Sequence, residues 1–166
     1  RTHGIDTLLT IYSKEIGRTP NNYLINKDNQ NIVWKNVKKI IKCIANDEHK
    51  YIMEEYQSRK RFDKFKFAQT TPNEKEIMFQ NVPIIYRSQE KYISPEINFW
   101  ESRYYKSLFH QQYTNKFIKE LCNNYLEGLE WVYKYYSSGC IDWRWKYNYH
   151  YPPLFKDLYQ HIPHFE

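Results

Sequence analysis

Apolar residues recur at spacings of three and four along residues 114–139, and this period predicts a long amphipathic helix. Thr114 is placed to cap its first turn, and Gly139 to end it in a left-handed cap. Gly128 stands mid-helix, where glycine costs about 1 kcal/mol relative to alanine, so we expect another backbone to approach closely there. The predicted apolar stripe consists of Phe117, Leu121, Tyr125, Leu129, Val132 and Tyr136, widened by Ile118, Cys122 and Tyr133.

The same period predicts four further helices, over residues 4–17, 34–45, 47–67 and 98–109. The side chains expected to face inward are Ile5, Leu8, Leu9, Tyr12 and Ile16 in the first, and Trp34, Val37, Ile40, Ile41 and Ile44 in the second. The opposite face of the second helix carries Lys35, Lys38, Lys39 and Lys42, which indicates either a solvated surface or a contact with an anionic partner.

The intervening segments lack helical periodicity. Residues 18–31 are turn-rich with a short extended piece at 23–25, residues 68–74 are expected to form a loop or a disordered insert, and residues 78–87 a strand. The predicted fold is therefore mainly α: an irregular helical domain with long loops, extending over residues 1–166.

Composition narrows the class of protein. A net charge of +6 favours an anionic partner, nucleic acid first, and only four glycines leave no glycine-rich phosphate loop. Cys43, Cys122 and Cys140 show no Cys-x-x-Cys spacing, which argues against a disulfide framework or a zinc site and fits a reducing compartment. We therefore expect a cytoplasmic protein, with the nucleus as the alternative. No apolar run approaches the roughly 18 residues of a membrane span, so no membrane partner is expected.

No set of residues has the pattern of a catalytic or metal centre. The acidic clusters at 54–55 and 74–76 lie in charged segments that are expected to be exposed. His150, His161 and His164 are close in sequence, but no regular spacing pairs them as metal ligands. There is no serine elbow, and no cysteine lies near a plausible histidine base.

Residues 140–155, CIDWRWKYNYHYPPLF, combine aromatic and basic side chains after the long helix. In an extended conformation, Trp143, Trp145, Tyr147 and Tyr149 would lie on one side, and Asp142, Arg144, Lys146, Asn148 and His150 on the other. The pattern has two interpretations. The aromatic side chains form core and the polar ones face solvent, or the rings stack nucleic-acid bases while the cations neutralise phosphates, an arrangement worth roughly 1–3 kcal/mol per base.

The sequence from 125 to 158 closely resembles a signature of the Xrn family of 5′-to-3′ exoribonucleases. In that family a helix with the pattern Y-x-E-G-L-x-W-V-x-x-Y-Y continues into G-x-x-x-W-x-W-x-Y-x-Y-H-Y-A-P. The matching residues are Tyr125, Glu127, Gly128, Leu129, Trp131, Val132, Tyr135, Tyr136, Gly139, Trp143, Trp145, Tyr147, Tyr149, His150, Tyr151 and Pro153. Residues 100–109 and the N-terminal segments resemble the same middle helical region of the family more loosely.

The resemblance implies that this chain is the middle helical part of a processive nuclease degrading 5′-monophosphorylated single-stranded RNA. The family's Mg²⁺-binding carboxylates and 5′-phosphate pocket lie in an N-terminal region that would precede Arg1. That catalytic region is thus an expected partner, and the isolated chain is expected to be inactive. By resemblance, Trp143 or Trp145 stacks the leading bases against a histidine of the missing region. The residues expected to bind RNA or to support the pocket are Arg144, Lys146, Tyr147, Tyr149 and His150.

The chain also departs from the family pattern. Pro152 replaces an alanine, Asp142 and Arg144 replace small polar residues, and Lys146 and Asn148 stand where aromatic and proline residues are usual, which leaves the details of base contact open. Two alternative functions follow. One is a catalytically inactive module that binds RNA 5′ ends, and the other is a helical protein-interaction domain, for which Trp143 and Trp145 should both be buried.

Overall fold

The computed structural model describes residues 3–163 and confirms a mainly α fold. Its α-helices are α1 (His3–Tyr12), α2 (Trp34–Lys60), α3 (Pro72–Gln80), α4 (Val82–Ile85), α5 (Ser88–Ile93), α6 (Trp100–Phe109), α7 (Asn115–Ser138) and α8 (Phe155–Leu158). A π-helical turn (Ser13–Gly17) continues α1, and 3-10 turns follow α2 (Arg61–Lys64) and α8 (Tyr159–His161). Within residues 3–163, no helix is both long and apolar enough to cross a membrane.

The chain forms two compact units. The first comprises Arg1–Glu48 and Thr114–Glu166, and the second comprises His49–Tyr113, so α2 contributes residues to both. The helices predicted over 34–45 and 47–67 are therefore one helix from Trp34 to Lys60. Residues 45–48 contain neither proline nor glycine, so nothing in the local sequence ends the helix between the two predicted segments.

In the first unit, a tight reversal precedes α2. Ile25 and Ile32 form an isolated antiparallel bridge, which agrees with the extended piece predicted at 23–25. The buried Asn36 fixes this reversal to α2, because its side-chain N–H groups donate to Asn22 Oδ1 and to the carbonyl oxygen of Tyr23, both at 2.7 Å. The Tyr133 hydroxyl of α7 donates to the carbonyl oxygen of Gln30 at 2.9 Å.

The helix predicted over 4–17 forms, but its apolar face is not the buried one expected. Of that face only Ile16 is buried, whereas Ile5, Leu8 and Leu9 are exposed. Periodicity identified the apolar side correctly, but it does not show whether another element covers that side.

In the second unit, the prediction of a strand over residues 78–87 is wrong, because α3 and α4 occupy this segment. Thr71 begins α3 with a capping box: its side chain accepts from the Glu74 N–H, and the Glu74 side chain accepts from the Thr71 N–H. Pro72 occupies the first turn, where a missing N–H has no cost. The loop predicted over 68–74 is therefore partly helical.

Two arginines organise the rest of this unit. The Arg87 side chain is buried and pairs with Asp63 at 3.0 Å and Glu90 at 2.8 Å. Arg103 of α6 donates to the carbonyl oxygens of Ile93, Ser94, Ile97 and Asn98 and so fixes the turn before α6. The helix predicted over 98–109 is confirmed, with its first residue at Trp100.

Candidate functional site

The long helix α7 supports the candidate site. Thr114 caps it as predicted, with its hydroxyl oxygen accepting from the Phe117 N–H at 3.3 Å. Gly139 ends it with a φ of +91°, the positive value predicted, although its ψ of 177° is extended rather than left-handed helical. The chain then reverses, and residues 142–151 run back along α7. We call residues 142–151 the return segment.

Gly128 provides space for the return segment. A Cβ atom at this position would lie 2.7 Å from Cη2 of Trp145, closer than two such atoms can approach. The close approach predicted from the mid-helix glycine is confirmed, but its partner is an indole ring rather than a backbone. A side chain can make this approach because glycine leaves the helix surface flat at that point.

Trp145 belongs to a stack of three rings. Its indole lies 5.8 Å from that of Trp131 with an interplanar angle of 21°, and Trp131 stacks in turn on Tyr135 at 5.4 Å and 13°. Trp131 and Tyr135 are four residues apart on α7, the spacing that brings helical side chains together. Trp145 is therefore half-buried and occupied by contacts within the chain.

Trp143 has the opposite environment, because 82% of it is exposed. A turn around Asp142 sets its position. The Asp142 carboxylate accepts from the Arg144 N–H at 2.8 Å, and the Asp142 carbonyl oxygen accepts from the Trp131 indole N–H at 3.0 Å. The backbone on both sides of Trp143 is thus hydrogen-bonded while its side chain faces solvent.

Tyr147 and Tyr149 pack along the N-terminal part of α7. Tyr147 meets Tyr125 edge-on at 5.7 Å, and its hydroxyl donates to the carbonyl oxygen of Tyr151 at 2.6 Å. Tyr149 meets Phe117 edge-on at 6.0 Å. Burial, and secondarily the charge of Glu120, raise the pKa of the Tyr149 hydroxyl. These two rings support the return segment.

The polar residues of the return segment face solvent. Arg144, Lys146 and His150 are exposed, and the Asn148 N–H donates to the Asn124 side chain at 2.9 Å. From 144 to 150, odd positions are half-buried and even positions exposed, as the extended alternation predicted. Trp143 departs from this pattern, since the alternation placed it on the side of the packed rings.

The structure brings no metal-binding cluster together: among residues 3–163, no three His, Cys, Asp or Glu side chains are arranged to hold a metal ion. His164, one of the three histidines considered from the sequence, lies outside the described residues. The side chains of residues 3–163 therefore do not fit a magnesium site.

The structural roles of two residues that build this site were not predicted from the sequence. Trp131 supplies both the stacking partner of Trp145 and the hydrogen bond to residue 142. Asp142 was treated as a departure from a family pattern, yet it forms the turn that exposes Trp143. The i, i+4 spacing of Trp131 and Tyr135 was the signal for the ring stack, but it did not indicate which later residue joins it.

Comparison with known proteins gives a consistent result. Residues 88–163 match the family described as the Xrn1 helical domain. The 5′-3′ exoribonuclease 1 of Schizosaccharomyces pombe is 34% identical over 84 residues, which cover 48% of this chain and 6% of that protein. The 5′-3′ exoribonuclease 2 of Gallus gallus is 42% identical over 60 residues, covering 36% of this chain and 6% of the relative. The 5′-3′ exoribonuclease 1 of Saccharomyces cerevisiae is 41% identical over 61 residues, covering 36% and 4%. The chain thus spans only a small fraction of the length of these relatives.

Proposed function

Since residues 88–163 belong to the Xrn1 helical domain family, we propose that this chain is the helical segment of a processive 5′-to-3′ exoribonuclease. The enzyme takes single-stranded RNA with a 5′-monophosphate, and its Mg²⁺-binding carboxylates lie in a catalytic region outside this chain. The segment walls the active site and stacks the leading bases. Three relatives named as 5′-3′ exoribonucleases support this proposal.

One observation carries the proposal: the indole of Trp143 faces solvent in a segment where the rings of Trp145, Tyr147 and Tyr149 are packed on α7. Exposing an indole costs free energy unless a partner covers it. A base stacked on it would supply roughly 1–3 kcal/mol and would be accepted whatever its identity. This lack of sequence preference is what a strand-advancing nuclease requires.

The flanking cations complete the proposed contact. Arg144 and Lys146 are exposed on either side of Trp145, and neither forms an ion pair with any carboxylate in residues 3–163. Cations without an internal partner are available to the phosphates of a strand whose bases stack on Trp143. Of the two tryptophans that the sequence left open, exposure favours Trp143 for base stacking and Trp145 for its support.

We predict that Trp143→Ala, introduced into the full-length protein that carries this chain, lowers processivity on long 5′-monophosphorylated RNA by roughly fivefold or more, since about 1 kcal/mol of stacking is lost per base. Processivity is measured as the nucleotides released per binding event with excess unlabelled RNA as a trap. Trp143→Phe should restore part of the loss, because a smaller ring still stacks.

Tyr136→Ala is the matched control, since Tyr136 is equally exposed but belongs to α7 rather than to the return segment. Equal processivity of wild type and Trp143→Ala would exclude the stacking role. The same assay separates the alternative of an RNA 5′-end binding module, which retains the labelled RNA but releases no nucleotides when magnesium is added. The interaction-domain alternative required both indoles to be buried, a condition that Trp143 does not meet.

A further inference from the structure

A second aromatic and basic segment lies in the other unit, at residues 59–67, RKRFDKFKF. It comprises the end of α2, the 3-10 turn Arg61–Lys64 and the first residues of the connection to α3. Five of its residues are basic and one is acidic: Arg59, Lys60, Arg61, Lys64 and Lys66 against Asp63. Which of these charges are neutralised within the protein decides what the segment can bind.

Acidic side chains of the same unit neutralise part of this charge. Arg59 pairs with Glu55 at 3.0 Å and with Glu90, and Lys60 pairs with Glu96 at 2.7 Å. The acid of the segment, Asp63, is engaged in turn by Arg87 at 3.0 Å and by Lys91 at 3.3 Å. The carboxylates nearest the segment are therefore already paired.

Three cations remain. Arg61, Lys64 and Lys66 are exposed, and none of them lies within ion-pair distance of a carboxylate in the described part of the chain. Among the described residues, the Arg61 guanidinium donates to Ser58, at its carbonyl oxygen and its hydroxyl, and lies over the Phe62 ring at 5.9 Å from the centroid. A run of three unneutralised cations within six residues favours a polyanion over a single acidic group.

An exposed aromatic residue lies between two of these cations in the sequence. Phe65 is 58% exposed, and its backbone is extended, with φ −75° and ψ 126°. Its ring centroid is 5.7 Å from that of Phe62, and the two ring planes are tilted by 37°. An exposed ring bracketed in sequence by two lysines has the chemistry that binds single-stranded nucleic acid, in which bases stack and phosphates meet cations.

We propose that Arg61, Lys64, Phe65 and Lys66 form a second contact for single-stranded RNA, which we call the basic-aromatic turn. It goes beyond the proposed function because it lies in the other unit and involves neither Trp143 nor the return segment. Such a contact holds RNA without reference to its 5′ end. The protein would thereby bind the RNA strand at a second place, independently of base stacking on Trp143.

Binding of a fluorescein-labelled 5′-hydroxyl oligouridylate to the 166-residue chain tests the proposal, with fluorescence anisotropy measured over a range of salt concentrations. For single strands, the logarithm of the binding constant falls with the logarithm of salt concentration by about 0.7 per phosphate neutralised. The triple variant Arg61→Gln/Lys64→Gln/Lys66→Gln should therefore reduce this slope by about 2. Phe65→Ala should weaken binding roughly fivefold or more and leave the slope unchanged, since stacking involves no counterion.

Matched variants separate a local contact from a general charge effect. The triple variant Lys35→Gln/Lys39→Gln/Lys42→Gln removes the same charge from exposed positions of α2 in the first unit, and Phe79→Ala removes an exposed ring that has no lysine on either side in sequence. Both should bind RNA as wild type does, and circular dichroism should show equal helix content in all variants.

Equal loss in the two triple variants, or no loss in either, would overturn the proposal. Unchanged RNA binding together with lost binding to phosphatidylserine vesicles would overturn it in favour of a lipid surface. The outcome is independent of the proposed function, because the 5′-hydroxyl probe requires no cleavage. Adding Trp143→Ala should lower affinity further without changing the slope difference between the triple variant and its control.

Discussion

The two halves of α7 carry one continuous apolar stripe in the sequence but have different surroundings in the structure. In the N-terminal half the buried residues are Phe117, Ile118, Leu121, Cys122 and Leu126. In the C-terminal half Leu129, Val132 and Tyr136 are exposed. The difference comes from the covering elements: α8, which contains the buried Leu158, and the 3-10 turn after it, which is followed by the buried Ile162, both contact α7.

The exposed half is also the half that carries the candidate site. There Trp145 of the return segment stacks on Trp131 of α7, which stacks in turn on Tyr135, and Trp143 faces solvent. The N-terminal half of α7 is packed in the core, and the C-terminal half exposes aromatic side chains to solvent. The same helical period thus produces a core in one place and a surface in the other.

The largest expected effect comes from truncating one leucine in each half. Leu121 is fully buried, so Leu121→Ala should lower the free energy of unfolding by about 2–5 kcal/mol. Leu129→Ala makes the same chemical change where 37% of the residue is exposed, and should cost about 1 kcal/mol or less. Urea denaturation followed by circular dichroism measures both. Equal costs would show that the C-terminal half is closed like the other.

An intermediate effect is expected from Gly128→Ala, at the boundary between the halves. Alanine gains about 1 kcal/mol of helix propensity, but its Cβ would lie 2.7 Å from Trp145 Cη2, and overpacking costs about 1–3 kcal/mol. We expect a net loss of about 1 kcal/mol and a changed near-ultraviolet circular dichroism signal from the Trp131–Trp145 stack.

Asn123→Ala is the control for Gly128→Ala, because it raises helix propensity at an exposed position of α7 and meets no ring. It should leave stability equal or higher. A stabilised Gly128→Ala with an unaltered spectrum would show that the return segment moves away freely.

The smallest effect concerns the cap of α8, which covers the N-terminal half of α7. The Glu48 carboxylate accepts from the N–H groups of Phe155 at 2.7 Å and Lys156 at 3.2 Å. Burial raises the pKa of Glu48 above its usual value, outweighing these two hydrogen bonds, which lower it. The folded state therefore binds this proton more tightly than the unfolded state, and the stabilisation is present below pH 4.5 and is lost as pH rises through the folded pKa.

Glu48→Gln has no proton to bind, so its stability relative to wild type should increase as pH rises from 4.5 to 7, by at most about 1.4 kcal/mol per pH unit. Thermal unfolding of both proteins over this pH range measures the difference. A difference that stays constant with pH would contradict the raised pKa.

Sequence patterns predicted the helices whose signals are local. The Thr114 cap and the stop at Gly139 are readable within a few residues, and both are confirmed, whereas the predicted apolar stripe of α7 is buried only in its N-terminal half. A local signal against the strand predicted over 78–87 was present in the sequence, since Thr71 and Glu74 form a capping box that starts a helix and Pro72 occupies its first turn. A short apolar run is compatible with either a helix or a strand. In this segment, the capping box before the run indicated the helix.

The sequence by itself determined that this chain is mainly helical, that residues 88–163 match the Xrn1 helical domain family, and that aromatic and basic residues alternate after α7. Only the tertiary structure decided which aromatic rings pack against other side chains of the chain and which face solvent. Trp143 and Trp145 are two residues apart and chemically identical, yet Trp145 lies against Gly128 and Trp131 while Trp143 faces solvent. The reason is physical: burial depends on contacts between residues distant in sequence, and the turn at Asp142 that separates the two indoles depends on a hydrogen bond from a helix eleven residues earlier.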